Sequence, residues 1–384
     1  MATITHPQPV SGGITIEVLE RRKPRPVVWW GALGAAFLAL QAYVYTAWLV
    51  SGDAKSVAPG PDRVPTIMHL NARFHEVGSL VAMVLCIYFI VYKRWRRQGH
   101  ITFDGMALLA GLTLYWQDPL ANYFQPFYNY GALFTNRGSW ACWIPGWQSP
   151  NGCRLPEPFA WSGMWYGYVV FGGVVFTCVA MRKARERWPR MGIMGTIGVA
   201  LATLIVVDVI AETFWISLGM YHFGSAASGW TIFKGHYFQF PIYESFAVAS
   251  WITAYACLRF FKNDRGESFA ERGATELRVS TKKQYLLRFL AIVGFYNLAF
   301  LCLYNVPAMM YGLKAGEWPQ DIQKRSYLTN GLCGGDTGLA CPGPSVPVPR
   351  TGRGIHLDPE GKLVVPPGAD LPGAGRAGSS RDRG

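Results

Sequence analysis

Charge is what this chain has least of. Only 15% of its 384 residues are charged, against 51% hydrophobic and 15% aromatic. A soluble domain covers itself with about a quarter charged residues, so this composition excludes an ordinary water-soluble enzyme. Histidine is also scarce, with seven in the whole chain. No pair of them has HExxH or HxxxH spacing, which argues against zincin and histidine-box oxygenase chemistry. The cysteines form no CxxC, so a zinc knuckle is not expected. There is no GxSxG elbow, no Walker loop and no GxGxxG in a soluble unit, and no solenoid period.

What remains is a succession of apolar runs of about 20 residues, the length a membrane-spanning helix needs. Seven are expected, near 28–50, 77–92, 103–124, 160–180, 191–218, 240–261 and 286–311. The second is short and is expected to begin about Arg73. The first carries no small-residue cleavage site and reads as a signal anchor. Basic residues cluster in "ERRKPR" (20–25), "KRWRR" (93–97), "RKARERWPR" (182–190) and the 262–283 loop. The intervening loops are poor in Lys and Arg, so the positive-inside rule places all four clusters in the cytoplasm. The net charge of +13 is thus a topology signal, and no nucleic-acid partner is expected. The expected organisation is a cytoplasmic segment (1–27), a seven-helix membrane domain (28–315) and an extracytoplasmic tail (316–384). The whole is an all-α, multi-pass protein of the cell membrane, with membrane lipids around it.

Of the eight cysteines, Cys86, Cys178, Cys257 and Cys302 fall within spans, where a free thiol behaves as a small apolar group. Cys142 and Cys153 share an outer loop, and Cys333 and Cys341 share the C-terminal segment; an oxidising compartment would allow each pair to form a disulfide. After about residue 342 the chain is rich in Pro and Gly and poor in large apolar residues. It cannot bury enough surface to offset its ordering entropy and is expected to be disordered, as are residues 1–20.

Polar residues inside the spans are the informative exceptions. In "LIVVDVIAETF" (204–214), Asp208 and Glu212 are four apart and share one helix face. In "YWQDPLANYFQPFYNY" (115–130), Trp116, Gln117, Asp118 and Asn122 crowd a helix end where Pro119 predicts a kink. "GHYFQFPIYESF" (235–246) supplies His236 and Glu244, "NARFHEVG" (71–78) supplies Arg73, His75 and Glu76, and the last span supplies Tyr304 and Asn305. At 1.5 Å of rise per residue, five spans bring these groups to one depth in the outer half of the membrane. Carboxyl groups sharing an apolar cavity divide into acid and base. The set therefore points to Glu212 as principal acid, Asp208 tuning it, and Asp118 and Glu244 as base or charge stabiliser. Trp116, Gln117, Asn122, His75, His236, Tyr304 and Asn305 would orient the substrate. No metal and no cofactor are expected.

The segments "LYWQDPLANYFQPFYNYGALFTNRGSWACWIPGW" (114–147), "ETFWISLGMYHF" (212–223) and "GHYFQFPIYESF" (235–246) resemble the spirocyclase AveC-like family of actinobacterial membrane proteins, a likeness covering roughly residues 30–315. The resemblance implies a multi-pass protein that catalyses cofactor-free acid–base cyclisation or dehydration. It does not give the substrate, for which a lipophilic polyketide, terpenoid or sterol-like molecule is expected. It assigns no catalytic residue. A weaker likeness, in the order Glu212, Gly219, Tyr221, Pro241, Glu244, is to membrane carotenoid hydratases and cyclases, which also protonate apolar substrates. Two other readings stay open: a proton-coupled transporter of a lipophilic solute, and a non-enzymatic assembly subunit with a membrane-protein partner or a second copy of itself.

Overall fold

The computed structural model describes residues 25–149, 152–224, 226, 229–313, 316–337 and 341, with short backbone pairings inside 3–20 and 356–364. The disorder expected of residues 1–20 and of the chain after 342 falls largely outside the described residues. The described chain is predominantly helical, and its strands are two residues long. Five helices among the described residues are long and apolar enough to cross a membrane. These are α1 (Pro26–Ser51), α2 (Thr66–Gln98), α4 (Phe159–Arg187), α5 (Ile193–Ser217) and α7 (Thr281–Gly312). Between them lie the shorter α3 (Phe103–Leu112) and α6 (Ile242–Phe260).

Two elements differ from the apolar-run reading. Helix α2 starts at Thr66, ahead of the start expected at about Arg73, so all of the polar stretch 71–78 is helical. Its charges are satisfied locally: Arg73 pairs with Glu76 at 2.6 Å, and Glu76 accepts the Thr135 amide at 2.7 Å. The third run is α-helical only over Phe103–Leu112 and then tightens into a 3₁₀ turn, Tyr115–Asn122. Pro119 has no N–H to give, and its ring would strike the carbonyl four residues back, which is that of Tyr115. The α-helix therefore stops just before that residue.

The helices alternate between two ends of the bundle. At one end Arg94 (3.0 Å) and Arg259 (2.9 Å) hold Asp104. There too Arg288 (2.7 Å) and Lys262 (3.4 Å) hold the buried Glu271. At the other end the long loop 123–158 is tied to its neighbours. Asn136 bonds the Val57 backbone in both directions, and Cys142 is bridged to Cys153. Strand Asn129–Tyr130 pairs antiparallel with Tyr221–His222. Residues 316–337 pack over this pairing: Asn330 donates to the Tyr130 carbonyl (2.8 Å) and accepts from the Ala132 amide (3.0 Å). A second bridge, Cys333–Cys341, closes that segment.

Small residues bring the helices close. A Cβ on Gly34 of α1 would lie 1.9 Å from the Leu290 carbonyl oxygen of α7, and one on Gly294 would lie 2.2 Å from the Trp30 oxygen. This is the close crossing that glycines permit in membranes, where packing replaces a hydrophobic driving force. A Cβ on Gly111 of α3 would likewise lie 2.4 Å from the Tyr166 carbonyl oxygen of α4, a close approach that brings Tyr166 beside the 3₁₀ turn.

Candidate active site

Helix α5 buries Thr196, Ala200, Leu204, Asp208, Glu212 and Ile216, one residue in every four. That spacing is a single inward stripe, and its last turns carry the two acids. Glu244 enters from the first turn of α6, directly after Pro241. One carboxylate oxygen from each of Asp208, Glu212 and Glu244 lies within 4.8 Å of the other two, and all three residues are buried. Tyr221 donates its hydroxyl proton to Glu212 Oε2, and the Tyr304 hydroxyl lies against Glu244. Three carboxyl groups at such spacing in apolar surroundings cannot all carry charge.

Asp118 approaches from the 3₁₀ turn. Its Oδ1 accepts the Tyr166 hydroxyl at 2.5 Å and the Tyr130 hydroxyl at 3.2 Å. Tyr130 also shares a 2.7 Å hydrogen bond with Ser162. The strand register sets Tyr130 opposite Tyr221, their ring centroids 6.0 Å apart. One tyrosine of this pair thus serves Asp118 and the other Glu212.

Asp118, Glu212 and Glu244 open on one cavity. Apart from these acids, Ser162 and Val248, its wall is entirely aromatic, with Trp161, Trp165, Trp215 and Trp251 among the rings. Two π-helical turns contribute to it: Phe159–Gly163 supplies Trp161 and Ser162, and Leu301–Asn305 supplies Tyr304. Such turns insert an extra residue and re-aim the side chains that follow, which is why they recur at functional sites.

The other residues expected at the site have different surroundings. Gln117 donates to Asn297 Oδ1 (2.8 Å) and accepts from Asn305 (3.3 Å), and Trp116 donates to the same Asn297 oxygen at 3.0 Å. These four residues form a buried network between the 3₁₀ turn and α7. Asn122 caps the following loop, accepting the Phe127 and Tyr128 amides at 2.7 and 3.0 Å. His75 bonds the Asn71 carbonyl (2.9 Å) and sits one ring behind the cavity, against Trp161. His236 is exposed and stacks on Phe238.

Sequence reasoning gave no role to Tyr130, Tyr166, Trp161, Ser162 or Glu157. Glu157 lies in the loop before α4, between Pro156 and Pro158, and is buried against Asp118. Burial and then the Asp118 charge push its carboxyl well above the usual range. On the strand Tyr221–His222, burial pushes the His222 imidazole down to about 4.

The arrangement can protonate an oxygen, accept a proton from another, and bathe the carbon between them in π density. Asp208, Glu212 and Glu244 also form a set of hard oxygen donors of the kind that Mg²⁺ or Mn²⁺ accepts. The family model described as spirocyclase AveC-like matches residues 95–328, more than half of the chain, and spans every residue that lines this cavity. No curated protein and no solved structure matches the chain.

Proposed function

Because the chain belongs to the spirocyclase AveC-like family, whose membership points to a cyclase-type enzyme, we propose that its carboxyl-lined aromatic cavity catalyses acid–base cyclisation or dehydration of a lipophilic substrate. The substrate class is a polyketide, terpenoid or sterol-like molecule that enters from the membrane. The observation that carries this reading is the convergence of Asp118, Glu212 and Glu244, from three elements, on a wall whose other residues, save Ser162 and Val248, are aromatic.

For a dihydroxy-ketone the steps balance without a co-reactant. Asp118 accepts the proton of the attacking alcohol while a protonated Glu212 gives its proton to the ketone oxygen, forming a hemiketal. A second proton from the Asp208–Glu212–Glu244 group lets the hemiketal hydroxyl leave as water. The oxocarbenium ion is held by carboxylate and aromatic faces, whose negative quadrupoles favour cations. The second alcohol captures it; its proton and the one held by Asp118 return to the acid cluster, which restores every carboxyl group for a net loss of one water. Removal of a neighbouring C–H proton in place of that capture yields the dehydrated product. All seven helices are proposed to cross the membrane, with the cavity at the extracytoplasmic end.

The test compares lipid extracts of cells carrying the parent, a deletion, Glu212→Gln and Asp118→Asn. One species should accumulate in all three altered strains. Turnover of that species by parental membranes should fall about 10²- to 10⁴-fold in each variant, the usual worth of a general acid or base. It should survive a chelator. Full turnover in both variants would overturn the reading, and loss to the chelator with recovery on Mg²⁺ or Mn²⁺ would replace the acid cluster by a metal site. Movement of an unaltered solute across vesicles would favour a transporter.

A further inference from the structure

Among the described residues, the hydroxyls that Asp118 accepts all come from tyrosines. Oδ1 is taken up by Tyr166 and Tyr130, and the backbone carbonyl accepts from Tyr128 at 3.2 Å. Among the described residues, neither Asp118 Oδ2 nor Glu157 Oε2 receives an amide or hydroxyl from any other side chain. The two carboxyl groups instead face each other within hydrogen-bonding reach. Both residues are buried, with 1% of Asp118 and 4% of Glu157 exposed. Two carboxylates cannot bond to one another unless a proton lies between them, and an apolar setting forbids two bare charges in contact.

The proton has a preferred owner. Asp118 already accepts two hydroxyls on its other oxygen, so a negative charge there is stabilised; among the described residues, Glu157 Oε2 has no comparable donor. Among the described residues, the other groups that interact electrostatically with Glu157 include Tyr45, Tyr115 and Tyr130, hydroxyls that bring no positive charge. The loop holds Glu157 rigidly, through the flanking prolines and its amide, which donates to the Gly138 carbonyl at 3.3 Å.

We infer that Glu157 is a positioning residue: it stays protonated, donates its proton to Asp118 Oδ2, and so fixes Asp118 as the anionic base of the cavity. Glu157 is absent from the cavity wall and touches no substrate; it acts through Asp118. When Asp118 accepts a substrate proton, the pair becomes neutral, and the charge lost from Asp118 is not replaced on Glu157. The inference rests on the proposed function only for its kinetic consequence. The pairing itself can be seen without a substrate.

Infrared difference spectra of purified, detergent-solubilised protein at neutral pH provide the first readout. Glu157→Gln should remove one protonated-carboxyl carbonyl band. In Asp118→Asn that band should remain and shift, because Glu157 keeps its proton but loses a charged acceptor. An unchanged band in Glu157→Gln, or its disappearance in Asp118→Asn, would overturn the inference. The second readout is the pH profile of turnover on the accumulated species. Glu157→Gln retains a donor and should stay within about threefold of the parent. Glu157→Leu removes the donor, so Asp118 should take up a proton more readily and the acidic limb should move to higher pH by at least one unit. Coincident profiles for parent and Glu157→Leu would also overturn it. If Asp118→Asn keeps full turnover while the infrared result holds, the pairing stands and the proposed base fails.

Discussion

Side chains at this site work in chains of two. Tyr221 serves Glu212 and Tyr130 serves Asp118, so each acid is oriented by a hydroxyl that also forms part of the wall. The acids themselves were legible, since an ionisable residue inside an apolar run has no bland place to go. Their tyrosines were not. A ring in an aromatic-rich membrane chain is ordinary, and nothing local distinguishes Tyr221 from a packing residue.

His222 supports the site from behind: it is fully buried and its Nε2–H donates to the Leu328 carbonyl at 2.9 Å. Its folded-state pKa, about 4, lies below the ordinary 6.5. The unfolded chain therefore takes up a proton before the folded one does. Stability present above about 6.5 is lost as pH falls towards 4, by roughly 3 kcal/mol for this group alone. Thermal unfolding of the purified protein between pH 8 and 4 should show this slope. His222→Gln, which can keep the donor but does not titrate, should flatten it; equal slopes would refute the assignment.

Among the elements, departures from regular helix coincide with the site. The 3₁₀ turn 115–122 and the π turns 159–163 and 301–305 carry Asp118, Trp161, Ser162 and Tyr304. Only the first was legible, through Pro119, because a proline has a local steric consequence and a π turn is selected by what packs around it. Close helix crossings set the rest of the frame. Gly34 to Leu should collide with the α7 backbone, where no flexible side chain can give way, and should lower stability by about 1–3 kcal/mol or more. Gly198 of α5 faces open space, so Gly198→Leu is the matched control. Melting temperatures in detergent should fall for the first and hold for the second.

For the whole molecule, the alternation of helices sends every basic cluster within the described residues to one end and the cavity, both disulfides and the 316–337 cap to the other. The proposed orientation, with the basic end in the cytoplasm by the positive-inside rule, turns the cavity towards the extracytoplasmic face. Reporter fusions provide the check. A fusion after Gly99 should be active only with a reporter that folds in the cytoplasm, and one after Asn151 only with a reporter that requires export. The reverse pattern would invert the protein.

Sequence alone determined the medium and the inventory. Apolar run length, loop charge and the few acids inside those runs are local quantities, and they sufficed to set an all-α membrane fold and to single out Asp118, Asp208, Glu212 and Glu244. They also made candidates of Gln117, Asn122 and Asn305, whose bonds turned out to join the 3₁₀ turn to α7 and to the following loop. Depth along a helix cannot say which way a side chain faces. Tertiary structure decided which acids meet, because pairing Glu157 of a proline-flanked loop with Asp118, or Tyr221 with Glu212, depends on how separate segments dock. Hydrophobic periodicity places a residue on its own helix; only packing between helices gives it a partner.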